Sequence, residues 1–111
     1  MKLPFRIQRL HIFTGDDGTT AVVAFDPGDA VHAYEEWSGV PWDDSYEPLN
    51  VQIPDKNIIR IINVDGDIEE FKKSRPPFSK FGMGNYYPHI EAPAWLWCLW
   101  NGRGFLYSTE F

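Results

Sequence analysis

The chain has 111 residues, 43% of them hydrophobic and 16% aromatic, and its formal net charge at pH 7 is −6. This length predicts a single domain over residues 1–111, large enough to bury a hydrophobic core without disulfides. The single cysteine, Cys98, excludes an internal disulfide and is typical of a reducing compartment.

No secretion signal or membrane span is recognisable from hydropathy. The residues after Met1 contain no apolar run of signal-peptide length. The longest apolar runs also fall far short of the roughly 20 residues that a membrane-spanning helix needs. We therefore expect a cytoplasmic protein with no membrane partner.

The predicted elements begin with a β-hairpin. Residues Phe5–Phe13 alternate in a way that predicts a strand, and Thr19–Phe25 is β-branched and apolar. Between them, Gly15–Gly18 is a Gly/Asp segment that tolerates the backbone conformations of a tight turn.

The clearest local signal is a helix over Pro27–Ser38. Asp26 can cap its first N–H groups, and Pro27 suits the first helical position. Gly39 is placed to end the helix in a left-handed conformation. Apolar residues recur at i, i+3, i+4 and i+7, which predicts one buried face: Ala30, Ala33, Tyr34 and Trp37.

The middle of the chain predicts further strands. Residues 49–53 alternate between apolar and polar, and Ile58–Val64 is β-branched on both faces. Asp65-Gly66 is a hairpin turn signal, so we interpret Asp67–Lys73 as the returning strand. The alternative is a short helix, because two apolar residues of that segment lie three positions apart.

Residues Ser74–Pro93 are unusually rich in proline and glycine. We predict a long loop over about 74–93, and loops of that length are commonly functional or disordered. Its aromatic side chains favour an ordered segment that packs on the body of the domain. Those side chains are Phe78, Phe81, Tyr86 and Tyr87.

The C-terminal aromatic run predicts a second hairpin. Asn101-Gly102 is a strong two-residue turn signal between Trp95–Trp100 and Arg103–Ser108. Both faces of the first strand would then be apolar, so one face would pack under the helix. The other would be covered by the long loop or exposed to a partner. A helix that begins at Pro93 is the competing interpretation.

Together these elements predict an α+β fold. We expect a mainly antiparallel sheet of five to seven strands with one amphipathic helix packed on a face, because consecutive hairpins favour that layout.

Catalytic and metal-binding patterns are weak. The chain has no nucleophile elbow, phosphate-binding loop, zinc-protease motif or C-x-x-C pair. Its three histidines are scattered, whereas a zinc site needs three or four convergent ligands. We therefore predict no catalytic residues, no metal and no cofactor, and keep a small enzyme of unknown chemistry as an alternative.

Charge is segregated along the chain. From Thr14 to Asp55 inclusive there are ten acidic residues and no Lys or Arg. Such a surface could steer charged partners or imitate a nucleic-acid backbone. The predicted acidic surface comprises Asp16, Asp17, Glu35, Glu36, Asp43 and Asp44.

Basic and aromatic residues alternate in the segment 72–89, a pattern found where bases stack and phosphates pair. Nucleic-acid binding is therefore an alternative function, although the net negative charge opposes it. Its contacts would be Lys72, Lys73, Arg75 and Lys80.

The stretch TTAVVAFDPGDAVHAYEEWSG, Thr19 to Gly39, runs from a strand into a capped helix. In this arrangement the sequence resembles small uncharacterised proteins of phages and mobile elements. The resemblance covers under a fifth of the chain, matches no named family and carries no functional residues. It implies that the protein could bind and block host machinery, including defence systems.

From the surplus of aromatic surface we predict a non-enzymatic protein-binding module, because interfaces are enriched in Trp, Tyr, Phe and Arg. The partner would be a host protein or a second copy of the chain, since an exposed edge strand could also make a structural homodimer. The predicted contacts are Phe78, Phe81, Tyr86, Tyr87, Trp100 and Arg103, with Trp42 as a further candidate.

Overall fold

The computed structural model describes residues 9–15, 18–41, 49–63, 66–84 and 87–108. Within these residues the chain forms seven strands and three helices. In chain order they are β1 (His11–Thr14), β2 (Thr20–Ala24), α1 (Pro27–Ser38), β3 (Val51–Ile53), β4 (Ile58–Ile62), α2 (Ile68–Lys73), β5 (Lys80–Met83), β6 (Pro88–Pro93), α3 (Ala94–Asn101) and β7 (Gly104–Ser108).

The strands divide over two antiparallel sheets. The four-stranded sheet has the order β3-β1-β2-β7, and the three-stranded sheet has the order β4-β6-β5. The α+β class and the antiparallel pairing are therefore confirmed. The strand number lies in the expected range, but the strands form two sheets and α1 is joined by two further helices.

The centre of the four-stranded sheet is buried on both faces. Along β2, Ala21 and Val23 contact one hydrophobic cluster, while Val22 and Ala24 contact another, and all four are 0% exposed. This follows from the two-residue period of a strand, which sends successive side chains to opposite faces. One face receives α1 and the other receives α3 together with the three-stranded sheet.

The helix α1 has the predicted bounds and caps. Asp26 Oδ1 accepts a hydrogen bond from the Asp29 N–H at 2.7 Å. Gly39 ends the helix with φ +73°, and its N–H donates to the Glu35 carbonyl at 2.8 Å. Ala30 and Ala33 are the fully buried residues of the helix, and their small size lets α1 approach the sheet closely.

The core between the two sheets is filled by α3. Its residues Leu96, Trp97 and Cys98 are buried against strands of both sheets. The Trp97 Nε1–H donates to the Ile59 carbonyl at 3.2 Å, so the indole is buried with its polar group satisfied. Ile90 of β6 lies in the same cluster.

The segment Asp67–Lys73 is a helix, so its prediction as a strand is wrong. Asp67 caps α2, and its side chain accepts hydrogen bonds from the Glu69 and Glu70 N–H groups. Acidic residues in the first turn and lysines in the last turn complement the helix dipole. The cap and the charges at the two ends favour a helix more strongly than the preceding Asp-Gly turn signal favours a returning strand.

The prediction of one long loop over Ser74–Pro93 is also wrong, because β5 and β6 occupy half of it. In β6, Ile90 and Ala92 are buried while His89 and Glu91 are partly exposed, the alternation of a half-buried strand. Proline obscured that alternation, because it lies at both ends of β6.

The predicted strand Trp95–Trp100 is the helix α3, so the competing interpretation is correct. Pro93 occupies its N-cap position. Ala94, Trp97 and Cys98 are buried at i, i+3 and i+4, the spacing of one helix face. The Asn101-Gly102 pair does not make a hairpin turn, because the Gly102 N–H closes the helix on the Cys98 carbonyl at 3.0 Å.

Among the helices in the described part of the chain, none combines the length and the apolar character needed to cross a membrane.

Candidate functional site

The helix α3 has no polar face. Its sequence, AWLWCLWN, contains no charged residue, and its inner side already fills the core. Three large apolar side chains therefore face solvent: Trp95 is 43% exposed, Leu99 75% and Trp100 50%. A helix that is hydrophobic all round is normally buried all round, so this outer side is an exception.

A groove runs along one side of α3. We name it the α3 groove, and it has a volume of about 430 Å³. Trp95 and Leu99 lie one helical turn apart along it, and Phe25, at the end of β2, is 39% exposed. The described residues that line it are Arg9, Leu10, Phe25, Trp95, Cys98, Leu99 and Gly102.

The chemistry of the α3 groove is apolar and unreactive. Among the described residues that line it, Arg9 alone is charged, and it lies 3.4 Å from Asp55. Cys98 is 4% exposed, and burial raises the pKa of its thiol to about 11. A neutral thiol is a poor nucleophile, so Cys98 is a packing residue near neutral pH.

A second cavity, of about 360 Å³, lies on the opposite side of α3 beneath α2 and β7. Ile90 and Trp97 are buried among its lining residues, and Phe71 and Leu106 are partly buried there. Trp100 borders it, and its Nε1–H donates to the Ser74 carbonyl at 3.0 Å, which fixes the ring against the end of α2.

Of the predicted partner contacts, Phe81 and Arg103 have structural partners. Phe81 packs toward the core, with its ring 6.5 Å from that of Phe71. Arg103 donates to both carboxylate oxygens of Asp29 at 2.7–3.1 Å, and to Glu36 at 2.7 Å. Arg103 therefore ties the start of β7 to α1.

The same junction contains an aromatic stack. Trp37 of α1 lies over Phe105 of β7, with ring centroids 3.8 Å apart and planes 7° apart. The prediction that Trp37 belongs to the buried face of α1 is wrong, because its side chain is 56% exposed. The stack and the Arg103 ion pairs join α1 to β7 near the surface. Hydrogen bonds from Arg103 hold the pKa of Asp29 below its ordinary value.

Phe78 is the most unusual of the predicted contacts. Its side chain is 100% exposed, and its φ is +62°. It is the third residue of a turn in which the Ser79 N–H donates to the Pro76 carbonyl at 3.3 Å. That position normally takes glycine, because a side chain at positive φ is strained. A bulky ring therefore occupies a strained position without a contact that would compensate it.

Tyr87 is 47% exposed just before β6. The predicted contacts therefore divide between several surfaces and do not converge on one patch. Six predicted or further candidate residues lie outside the described part of the chain: Asp16, Asp17, Trp42, Asp43, Asp44 and Tyr86. Of the acidic residues within it, Glu36 is paired with Arg103 and Glu35 lies on α1.

The predicted basic residues lie on both sides of the Phe78 turn, which we define as Pro76–Ser79. Lys72 places its Nζ 5.6 Å from the centre of the Phe81 ring. Arg75 donates to the Ser79 carbonyl at 3.3 Å, and Lys80 lies opposite Glu91 in the sheet. Lys73 is exposed in the last turn of α2.

Two of the three described histidines lie near single carboxylates, and the third, His32, is exposed on α1. His11 lies 3.3 Å from Asp55, and His89 lies 3.8 Å from Glu91. Within the described residues, no three His, Cys, Asp or Glu side chains are grouped as metal ligands would be.

Comparisons of the chain with protein-family models, with curated proteins and with solved structures gave no match.

Sequence reasoning missed the α3 groove. Its walls, Phe25, Trp95 and Leu99, were not among the predicted contacts. The helical interpretation of the C-terminal run would have placed Trp95 and Leu99 on one face, because they are four residues apart. Phe25 lines the same groove through the tertiary structure, which no local pattern in the sequence indicates.

We predict that Phe78→Gly increases the stability of the fold. A non-glycine residue at positive φ costs roughly 1–2 kcal/mol, while the extra freedom of glycine in the unfolded chain costs about 0.4–1 kcal/mol. The fully exposed ring contributes no packing. The free energy of unfolding, measured by urea titration, should rise by roughly 0.5–1 kcal/mol. Phe78→Ala is the control and should give no gain, because it keeps the strain.

We predict that the Arg103 ion pairs make stability pH-dependent in the acid range. The pKa of Asp29 is lower in the folded state than in the unfolded state. Ionised Asp29 therefore adds to the free energy of unfolding at pH values above its unfolded-state pKa, and this stabilisation is lost as pH falls through its folded-state pKa. Arg103→Gln should lower the free energy of unfolding by roughly 1 kcal/mol near pH 7. This difference from wild type should shrink as pH falls toward about 2.

The control for that experiment is Lys56→Gln, which removes one positive charge at an exposed position in the turn before β4. Urea titrations of the three proteins across the acid range provide the comparison. A difference between wild type and Arg103→Gln that stays constant down to the lowest pH would contradict the assignment.

Proposed function

We propose that the protein is a non-enzymatic protein-binding module that holds an apolar segment of another protein in the α3 groove. The observation that supports this most strongly is the outer side of α3, where Trp95 and Leu99 remain in water although the helix carries no polar residues there. Contiguous exposed apolar surface commonly marks a site of interaction with another macromolecule.

The dimensions of the α3 groove suit apolar side chains of a partner. Its volume of about 430 Å³ lies within the range of pockets that hold small molecules, roughly 300–1,000 Å³, so it has room for one or two side chains. Each Leu- or Phe-sized side chain that becomes fully buried contributes about 1.5–3 kcal/mol. One or two such side chains, flanked by Trp95 and Phe25, would form the centre of the interface.

The class of the partner follows from the charge pattern. A groove with one charged residue among its described lining residues offers little for a phosphate-rich ligand, whereas Arg9 at its edge could meet an acidic group beside an apolar segment. The resemblance to proteins of phages and mobile elements makes a host protein, including one from a defence system, our proposed partner. Binding there would block that protein by occupying its apolar segment.

The test uses a photo-crosslinking amino acid at position 99, with position 40 as the control. Leu99 is 75% exposed in the α3 groove, and Val40 is 56% exposed just beyond α1. The intact chain is irradiated in a bacterial lysate, and the adducts are identified by mass spectrometry. We expect one host protein to be crosslinked from position 99 and not from position 40.

We predict that Leu99→Lys abolishes capture of that host protein without unfolding the chain. The exposed side chain contributes little to the core, so the free energy of unfolding should change by no more than about 0.5 kcal/mol. Val40→Lys, the matched control, should retain full capture. Adducts that form equally from both positions, or capture that survives Leu99→Lys, would remove the α3 groove as the binding site.

The second candidate function is binding of single-stranded nucleic acid at the Phe78 turn. The observation that favours it is a fully exposed aromatic ring between the lysines at the end of α2 and Lys80. Bases stack on such rings while nearby cations contact phosphates.

For this candidate we predict that labelled oligo(dT) binds at low salt and dissociates steeply as salt increases, as measured by fluorescence anisotropy. Phe78→Ala should weaken binding by about 1–3 kcal/mol. Lys80→Gln should reduce the slope of log K against log salt by about 1. Absence of binding by wild type at the lowest salt concentration would exclude this candidate and leave the α3 groove unaffected.

A further inference from the structure

The strand β4 lies at one end of the three-stranded sheet, whose order is β4-β6-β5. Among the described residues, no strand pairs with its outer edge. An exposed edge presents a row of backbone donors and acceptors that can pair with another strand. The geometry of β4 shows which groups form that row.

The hydrogen-bond pattern between β4 and β6 fixes the direction of each backbone group. The Ala94 N–H donates to the Asn57 carbonyl at 2.8 Å, and the Asn63 N–H donates to the Pro88 carbonyl at 3.0 Å. In an antiparallel pair the bonded residues alternate, so Ile59 and Ile61 face β6. The N–H and C=O groups at positions 58, 60 and 62 therefore point to the outer edge.

The side chains at those three positions lie on the solvent face of the sheet. Ile58 is 62% exposed and Ile62 is 53% exposed. Arg60 lies between them, and its Nε and Nη2 donate to Glu91 Oε1 at 2.8 and 2.6 Å. Charged residues usually protect an edge strand from pairing, but Glu91 neutralises the charge of Arg60. The protection at the centre of β4 is thereby weakened.

The sequence of β4 is also symmetric. Ile-Ile-Arg-Ile-Ile, residues 58–62, reads the same in both directions. An antiparallel pairing of two copies about a two-fold axis at Arg60 would therefore place like residues opposite one another. This is the self-complementary pattern that a two-fold interface requires.

We propose that the outer edge of β4 binds a second copy of this chain through antiparallel β4–β4 pairing. Position 58 of one subunit pairs with position 62 of the other, and the two central arginines lie opposite each other. The outward groups at positions 58, 60 and 62 form six backbone hydrogen bonds. The two three-stranded sheets become one sheet of six strands. On the solvent face, Ile58 packs against Ile62 of the partner subunit.

A second copy fits this edge better than an unrelated strand does. Each arginine enters the interface with its own Glu91, so the pairing carries no net charge at its centre. The isoleucines on both sides of Arg60 lie opposite isoleucines of the second copy across the two-fold axis. The contact uses neither the α3 groove nor the Phe78 turn, so it stands independently of the proposed function.

The test is sedimentation velocity over a concentration series that reaches about 0.5 mM, because small interfaces of this kind are commonly weak. Wild type should shift from the 12.9 kDa monomer to a dimer as concentration rises. Ile62→Pro should remain monomeric, because it removes an outward N–H and keeps the bonds between β4 and β6. Ile62→Val, the matched control, should dimerise like wild type.

Hydrogen exchange locates the contact and controls for misfolding of the proline variant. The amides of Ile58, Arg60 and Ile62 should become protected as concentration rises, while those of Ile59 and Ile61 stay protected throughout. Wild type that remains monomeric over the series would overturn the proposal. Dimerisation unchanged by Ile62→Pro, or edge protection that is independent of concentration, would overturn it equally.

Discussion

The position of α3 between the two sheets is the constraint on which the rest of the structure depends. Leu96, Trp97 and Cys98 fill the space between the sheets, and the hydrogen bond from Trp97 to the Ile59 carbonyl fixes the helix to β4. Interiors are close-packed, so the inner side of α3 must be apolar. The outer side is apolar as well, and this leaves Trp95 and Leu99 in water.

Local chemistry made α1 predictable and left α2 and α3 ambiguous. The cap at Asp26 and the glycine at position 39 act within a few residues, so their effect can be recognised in the sequence. The α3 segment combines aromatic residues that favour strands with an Asn-Gly turn signal. Tertiary packing decides between helix and strand there, because a helix brings Ala94, Trp97 and Cys98 to the core together.

The candidate surfaces could likewise be predicted only in part from the sequence. A surplus of aromatic side chains could be predicted from composition, and Phe78, Tyr87 and Trp100 are 100%, 47% and 50% exposed. Their partners within the molecule could not be predicted, because Arg103 reaches Asp29 across 74 positions of sequence. The α3 groove likewise depends on tertiary structure, which brings Phe25 to the same groove as Trp95 and Leu99. The edge of β4 depends on strand order, which local patterns do not determine.

Cysteine accessibility along α3 tests its two-sided arrangement most directly. Native Cys98, 4% exposed on the inner side, is alkylated in the wild-type chain, and single cysteines are introduced at positions 95 and 99 in chains whose Cys98 is replaced by alanine. Under native conditions we predict fast reaction at positions 95 and 99, and a rate at Cys98 at least about 100-fold slower, because its reaction requires the core to open. Slow reaction at position 99 in the monomer would show that the outer side of α3 is covered within the chain itself, and would contradict the account.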